Sequence, residues 1–396
     1  MKKLTTLFIS TLFMLTVFGQ TENETIKQAN KLIASRKYES AFKLLDKFDP
    51  KNSKPDIVLL KADIVLNYFV SSIMHGIFAL KDLEKNEDLM DYRGKNGSFG
   101  MQVFKIDSIL ENLIKQYPAN CKLYNGLGGF YYEAYLKYGS KWLKDDKELF
   151  SLMETNFSKA VDGNCADYLT YYVLGYIALA QEKYKESIPF FLKSIEMKKD
   201  YASSHYNLAY AYLFSDDRQN ALQYAKNSLD LYTDQIYKSD AATMLGQIYT
   251  ELKDDKNAIA NYELAEKINA GNYYNLRPLL NLYVKTGNAK EKESTKTFFK
   301  LDPENPTIYI DLEEIFFGNK KENDLAVFYK EQLPNYKDNL KVLGNLNFYL
   351  GKFYIDSDKK LAKEYFNKAK DIFSKIYDKT HAVFKAIEDG IKQTDR

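Results

Sequence analysis

Histidine, tryptophan and cysteine are all scarce in this chain of 396 residues, which holds three, one and two of them. The histidines, His75, His205 and His381, fall on three predicted helices far apart in sequence, and none has a second ligand-type side chain three or four positions on, so no metal site is expected. Ser204 beside His205 occupies a successive helical position that points elsewhere, which excludes a nucleophile and base pair. The glycines Gly94, Gly97 and Gly100 lack a following Lys-Ser or Lys-Thr and no strand is predicted before them, so they read as a linker ahead of a helix starting at Met101. No catalytic residue and no cofactor follows from the sequence, and the chain reads as a binding protein that is not an enzyme.

An excess of charge of one sign is also missing, as are long apolar runs beyond two. Lys2 and Lys3 precede the first, Leu4 to Phe18, and small residues at Val17 and Gly19 suit a signal peptidase. Residues 1–19 are therefore expected to be a signal peptide cleaved near Gly19, which places the chain in the periplasm. No cysteine follows the run, so a lipoprotein is not expected. Loss of Lys2 and Lys3 from 56 basic residues leaves 54 against 54 acidic ones, a neutral balance that favours neither nucleic acid nor an anionic membrane. The second run, Ile64 to Leu80, is interrupted by Asn67 and His75 and reads as a buried central helix in place of a stable membrane span.

What the sequence does have is a phrase that returns. Tyr171, Leu174, Gly175, Ala178 and Phe191 are followed 34 residues later by His205, Leu208, Ala209, Tyr212 and Ala225. Leu245, Gly246, Tyr249, Ala258, Tyr262 and Ala265 continue it, then Leu279 and Tyr283, and finally Leu350, Gly351, Tyr354, Ala362, Phe366 and Ala369. A period of that length marks stacked helical hairpins. Gly or Ala lets two helices cross closely while Tyr and Phe fill the wedge left over. Polar turns recur at residues 181–183, 216–218, 254–256 and 287–288, and Asn305-Pro306 reads as an N-cap and first helical residue.

These positions resemble the tetratricopeptide repeat. The resemblance implies an all-α, helical-hairpin solenoid, a right-handed superhelix, with clear units at about 168–201, 202–235, 239–272, 273–306 and 344–377 inside an array spanning 121–377. Residues 20–120 read as a degenerate helical N-terminal segment, with Ile106 to Pro118 an unpaired second helix, and 378–396 as a capping helix. Between Lys137 and Leu149, around Trp142, the pattern carries an insertion, which maps to one edge of such an array. From Thr307 to Asn339 only Leu312, Ala326 and Tyr329 keep to the pattern.

Cys121 and Cys165 each precede a first helix of a unit. In an oxidising compartment they could be joined; alternatively they are two small residues at matching sites, which in stacked units usually lie beyond the roughly 7 Å that a bridge spans.

In the family, positions 2, 5, 9 and 12 of the first helix face the concave groove. That implies a partner-binding surface containing Tyr172, Tyr176, Tyr206, Tyr210, Thr243 and Gln247, with Arg277 in the next unit and Asn207 at a position comparable to the asparagines of the family's tail receptors. Tyrosines beside amides and hydroxyls suit an extended peptide or a partner's helix, so the expected partner is another envelope protein or peptide. The family's receptors for chaperone tails use basic residues where Tyr172, Tyr206 and Thr243 stand, so capture of a terminal carboxylate is not expected. A glycan is the alternative partner, because helical-repeat glycan binders also carry aromatic platforms.

Overall fold

The computed structural model describes residues 21–95 and 99–395. The expected signal peptide and Gly97 lie outside them. The chain divides into two compact units, Met1–Lys198 and Lys199–Arg396. Unit 1 holds helices α1 (Glu22–Ala34), α2 (Tyr38–Phe48), α3 (Pro55–Asn67), α4 (Ile106–Gln116), α5 (Cys121–Tyr138), α6 (Asp146–Asp162), α7 (Tyr168–Ala180) and α8 (Tyr184–Met197), with strands β1 (Phe69–Ile73), β2 (Ile77–Leu80) and β3 (Met101–Val103) between α3 and α4. Among its described residues unit 2 holds helices and no strand: α9 (Ala202–Phe214), α10 (Arg218–Leu231), α11 (Gln235–Glu251), α12 (Asp255–Ile268), α13 (Tyr273–Thr286), α14 (Glu291–Phe299), α15 (Pro306–Gly318), α16 (Glu322–Gln332), α17 (Leu340–Tyr354), α18 (Lys359–Phe373) and α19 (Ala382–Thr394).

Consecutive helices pair as hairpins, α5 with α6, α7 with α8, α9 with α10, α11 with α12 and α17 with α18. Each crossing rests on the contact that the repeat alphabet anticipates. A Cβ placed on Gly128, Gly175, Gly246 or Gly351 would sit 2.8 Å from the ring of Phe157, Phe191, Tyr262 or Phe366 respectively, closer than carbon atoms pack. In α9 and α10 the same positions are Ala209 and Ala225, both fully buried. A methyl has been added on one helix and a ring removed from the other, and neighbouring side chains, Tyr212 and Tyr224 among them, pack against the two alanines.

The polar turns between paired helices are one device repeated. Glu182, Asp216, Lys253, Gly287 and Lys320 all have φ between 58° and 69°. In each case the next N–H reaches back to the helix, as Lys183 does to Ala178 O, Asp217 to Tyr212 O, Asp254 to Tyr249 O and Asn288 to Tyr283 O, at 2.9–3.0 Å. This is the left-handed C-terminal closure of an α-helix. Asp217 and Asp254 then cap α10 and α12 by accepting from the backbone of Asn220 and Asn257. Asn305 caps α15 with Pro306 in its first turn, as the sequence suggests.

Four expectations are corrected. Ile64 to Leu80 is not one buried helix: α3 ends at Asn67 and the remainder is an antiparallel β1–β2 hairpin, to which β3 adds a third strand. A continuous apolar run suits a buried strand as well as a buried helix, and Met74 and His75, at φ 51° and 50°, supply the left-handed pair that a tight hairpin turn needs. The glycines near residue 97 therefore follow two strands and precede a third, not a helix at Met101. Of the histidines only His205 lies within a helix; His75 sits in the hairpin turn and His381 caps α19 through its Nδ1. The segment Ile106 to Pro118 also gains a partner, since α4 packs against α3 and α5.

Candidate functional site

In unit 1 the two places where the repeat pattern breaks are built against each other. The hairpin turn carries His75, whose ring stacks on Phe78 and meets Phe130 and Tyr138 edge-on at centroid distances of 5.1–6.2 Å. Tyr138 ends α5, and the insertion that follows supplies Trp142, whose Nε1 donates to Met74 O at 3.2 Å. The indole thus fixes the strained turn while its ring packs on Phe130 and Tyr131. Burial, reinforced by the nearby Lys137 ammonium, holds the His75 imidazole down at about 4, so the ring is neutral across the physiological range; a peptide carbonyl of Glu133 opposes that shift. Beside this cluster opens a cleft of about 480 Å³ lined by Tyr135, Leu136, Tyr138, Lys141, Asp146 and Tyr176.

Tyr172 and Tyr176 belong to unit 1. Tyr176 exchanges a hydrogen bond with the Tyr135 hydroxyl at 3.2 Å and packs edge-on against Phe150. Tyr172 is buried, with its ring against Phe191 and Tyr132. It is therefore part of the hairpin core, and of the two only Tyr176 borders the cleft.

The other expected residues lie in unit 2. Tyr206 is half-buried against Tyr232, and burial pushes its hydroxyl well above the usual phenol range. Tyr210 lies with its ring 4.4 Å from that of Phe214, and Asn207 occupies the same helix, half-buried. Thr243 donates to Ser239 O at 2.9 Å and bonds Asn275 Oδ1, so it links α11 to α13. Gln247 is exposed. Arg277 is committed within the chain: its Nε donates to Asp311 Oδ1 at 2.7 Å and its terminal nitrogen to Glu314 Oε2 at 2.5 Å, while Tyr273 donates to the other Asp311 oxygen. Asn319 bonds Asn281 at 2.9 Å and Lys352 bonds Glu313 at 2.6 Å. A polar ladder thus runs from α11 through α13 and α15 to α17, neutralising nearly every charge on it.

Between the rungs stand residues that the sequence reasoning missed. Tyr274 is 76% exposed, Ile310 46% and Phe317 44%. Tyr274, Arg277 and Asn281 follow one face of α13 at i, i+3 and i+7, and Ile310, Glu314 and Phe317 follow one face of α15 at i, i+4 and i+7. The Arg277 to Glu314 bond sets the two faces side by side. Tyr274 holds position 2 of its unit and would have followed from extending the groove rule by one repeat. Ile310 and Phe317 could not, because the unit that contains them keeps too few pattern residues to fix its register.

Cys121 begins α5 and Cys165 precedes α7; their Cα atoms lie 5.6 Å apart and their sulfurs are bonded. The separation expected of matching repeat sites does not apply because the loop is drawn inwards. Gly163 passes so close to Cys121 that a Cβ there would overlap it, and Asn164 adopts a left-handed φ of 58°. Among the described residues no group of three or more His, Cys, Asp or Glu side chains is arranged to hold a metal ion, and no helix is long and apolar enough to cross a membrane.

Stacked hairpins of this kind, with small residues at each crossing and a laddered face on their first helices, define a repeat scaffold. The tetratricopeptide repeat model matches residues 168–201, 202–235 and 239–272, so these three hairpins are tetratricopeptide repeats. Solved structures similar to it include a tetratricopeptide repeat protein from Parabacteroides merdae, 18% identical over 69% of this chain and 99% of that one, with a TM-score of 0.41. Another is the C-terminal part of a repeat protein from Cytophaga hutchinsonii, 15% identical over 72% and 93%, with a TM-score of 0.42. A third is YrrB, described as having an unusual peptide-binding site, 16% identical over 56% and 93%, with a TM-score of 0.33. No curated protein matches the chain.

Proposed function

We propose that the chain is a non-enzymatic scaffold of the cell envelope, working in the periplasm, that holds a peptide or helix of another protein on the laddered first-helix face of unit 2. The observation that carries this reading is the exposure of Tyr274, Ile310 and Phe317 on a face whose charges are already paired. Burying such a surface releases water from apolar area without stripping free ions, and the amides of Asn281 and Gln247 remain to bond an incoming backbone. Export is supported by Lys2, Lys3 and the apolar run that follows, and by the Cys121 and Cys165 geometry, which suits an oxidising compartment. Trp142 is buried and offers no open ring face to a sugar, so no feature of that residue favours a glycan partner.

Affinity capture from envelope extract tests the reading, with the full chain run beside a Tyr274→Ser, Phe317→Ser variant. Both substitutions lie on exposed positions, so helicity and melting temperature should be retained. A protein held by the parent and lost by the variant supports the proposal. Equal capture by both removes this face from consideration, and recovery of the chain in the cytoplasmic fraction would refute the envelope assignment.

A further inference from the structure

We propose that the outer edge of β3 is a second docking site, outside the repeats, which takes an extended acidic peptide of a partner protein as a fourth strand. The Phe104 N–H donates to Gly76 O at 2.9 Å. With Phe78 opposite Gln102 in the register, alternation along an antiparallel ladder makes 76 with 104 and 78 with 102 the hydrogen-bonded pairs. Met101 and Val103 therefore direct their N–H and C=O groups away from β2. Among the described residues no backbone group bonds to them from that side.

The opposite edge of the sheet is treated differently. Gly94 donates its N–H to Val70 O at 3.1 Å, and the Arg93 guanidinium reaches Phe69 O at 3.0 Å and Asn67 O at 2.7 Å. Capping of this kind is how a sheet avoids unwanted pairing. One edge is closed by dedicated groups and the other is left open, which is the arrangement that strand addition uses.

Side chains and charge select the occupant. Ile73 lies opposite Ile77, and Ile77 opposite Val103, so three β-branched residues form one row across the sheet. Ile73 and Val103 at its ends are more than half exposed, and a strand added at β3 would continue that row with its own apolar residue. From Tyr92 to Ile106 the charged residues are Arg93, Lys95 and Lys105, and the nearest acids in sequence, Asp91 and Asp107, lie outside that span, Asp107 in the first turn of α4. Arg93 is occupied on β1, which leaves the exposed Lys95 and Lys105 on either side of β3 in sequence to meet carboxylates. The fitting segment alternates apolar and small polar residues and carries acidic ends.

The probe is a labelled seven-residue peptide of alternating valine and threonine with glutamate at both ends, titrated into the full chain by fluorescence anisotropy. Saturable binding is expected, weakened at least tenfold in Val103→Pro, which removes an outward N–H and the end of the apolar row at an edge position where proline is tolerated; Trp142 fluorescence checks that the hairpin turn is intact. Methylating alternate peptide nitrogens tests the pairing with the protein untouched: one set should abolish binding and the other leave it within about twofold. Absence of saturable binding, or equal loss from both methylated sets, would overturn the proposal. So would a chain that dimerises through β3 in sedimentation, or one that binds anionic vesicles equally well with and without Val103→Pro.

Discussion

The hairpins α7–α8 and α9–α10 carry one phrase 34 residues apart and settle its central contact in opposite ways. In the first, Gly175 leaves room for the Phe191 ring; in the second, Ala209 meets Ala225. What the repeat preserves is a close approach of two backbones, and the side chains that fill the space beside it differ: one ring in the first pair, Tyr212, Tyr224 and their neighbours around the alanines of the second. A strict glycine would thus be the wrong thing to look for in this chain, and a small residue, Gly or Ala, on the first helix the right one.

That comparison is broken most forcefully at Phe191. Phe191→Ala should cost about 3–5 kcal/mol, because a fully buried ring leaves a cavity that its neighbours fill only in part. Gly175→Ala should cost about 1–3 kcal/mol by forcing its methyl into that ring. Because Gly175 faces the Phe191 ring directly, the second change should cost much less once the first is made, since the ring that its methyl would strike is gone. Denaturant unfolding of the two single variants and the double closes the cycle, and simple additivity would refute a direct contact between the two positions.

The two units also differ in how they secure their irregular parts. Unit 2 spans its weakest-patterned repeat with ion pairs and amide bonds between first helices, whereas unit 1 uses a covalent link and an inserted sheet locked by Trp142. The bond between Cys121 and Cys165 closes α5 and α6 into a loop 44 residues apart in sequence. Chain-entropy reasoning assigns such a loop about 4 kcal/mol, subject to any strain in the folded state. Cys165→Ser should therefore lower the melting temperature of unit 1, as should reducing agent on the parent, while the variant should be indifferent to reductant. A parent equally indifferent would show that the link contributes nothing to stability.

Most of the array was legible because its chemistry is local and repeated: Gly or Ala against an aromatic ring, a polar left-handed turn, an Asp or Asn cap. Arg277, Asp311 and Glu314 were not legible as a cluster because they sit on two helices more than thirty residues apart, in a repeat that keeps little of its pattern. The β insert was misread for a different reason. Its apolar residues are buried on both faces near α3, so they lack the alternation that announces a strand, and its turn uses Met74 and His75 where Asn-Gly would have given the hairpin away.

His75 offers a smaller test of the same contrast, because its proton uptake belongs to unit 1 alone. With its ring held at about 4 in the folded chain against about 6.5 when unfolded, the unfolded state binds more protons between those values. The stability that the neutral ring supplies is complete above pH 6.5, declines as pH falls, and is lost by about pH 4. At pH 5 the loss is about 2 kcal/mol by linkage. Lys137 and Arg93 are the nearby cations and Glu133 the nearby acid, so His75→Asn, which keeps a residue tolerant of the turn, should flatten this limb of the pH profile without abolishing it elsewhere. An unchanged profile would mean that other groups carry the acid sensitivity.

The smallest effect should come from the turns, where Gly287 in unit 2 stands at the place that Glu182 holds in unit 1. Gly287 closes α13 at φ 63° with no strain, whereas Glu182 closes α7 at φ 59° and carries a Cβ that this conformation crowds against the backbone. Glu182→Gly removes the crowding but gives the unfolded chain more freedom, so the two terms oppose and a net gain of about 0.5 kcal/mol is expected. Gly287→Ala reverses the trade: nothing lies near the added methyl, so its cost of about 1 kcal/mol would be conformational alone. Thermal unfolding of both variants should therefore show shifts of opposite sign, and shifts of the same sign would mean that contacts outside the turn, not its left-handed geometry, decide how these hairpins close.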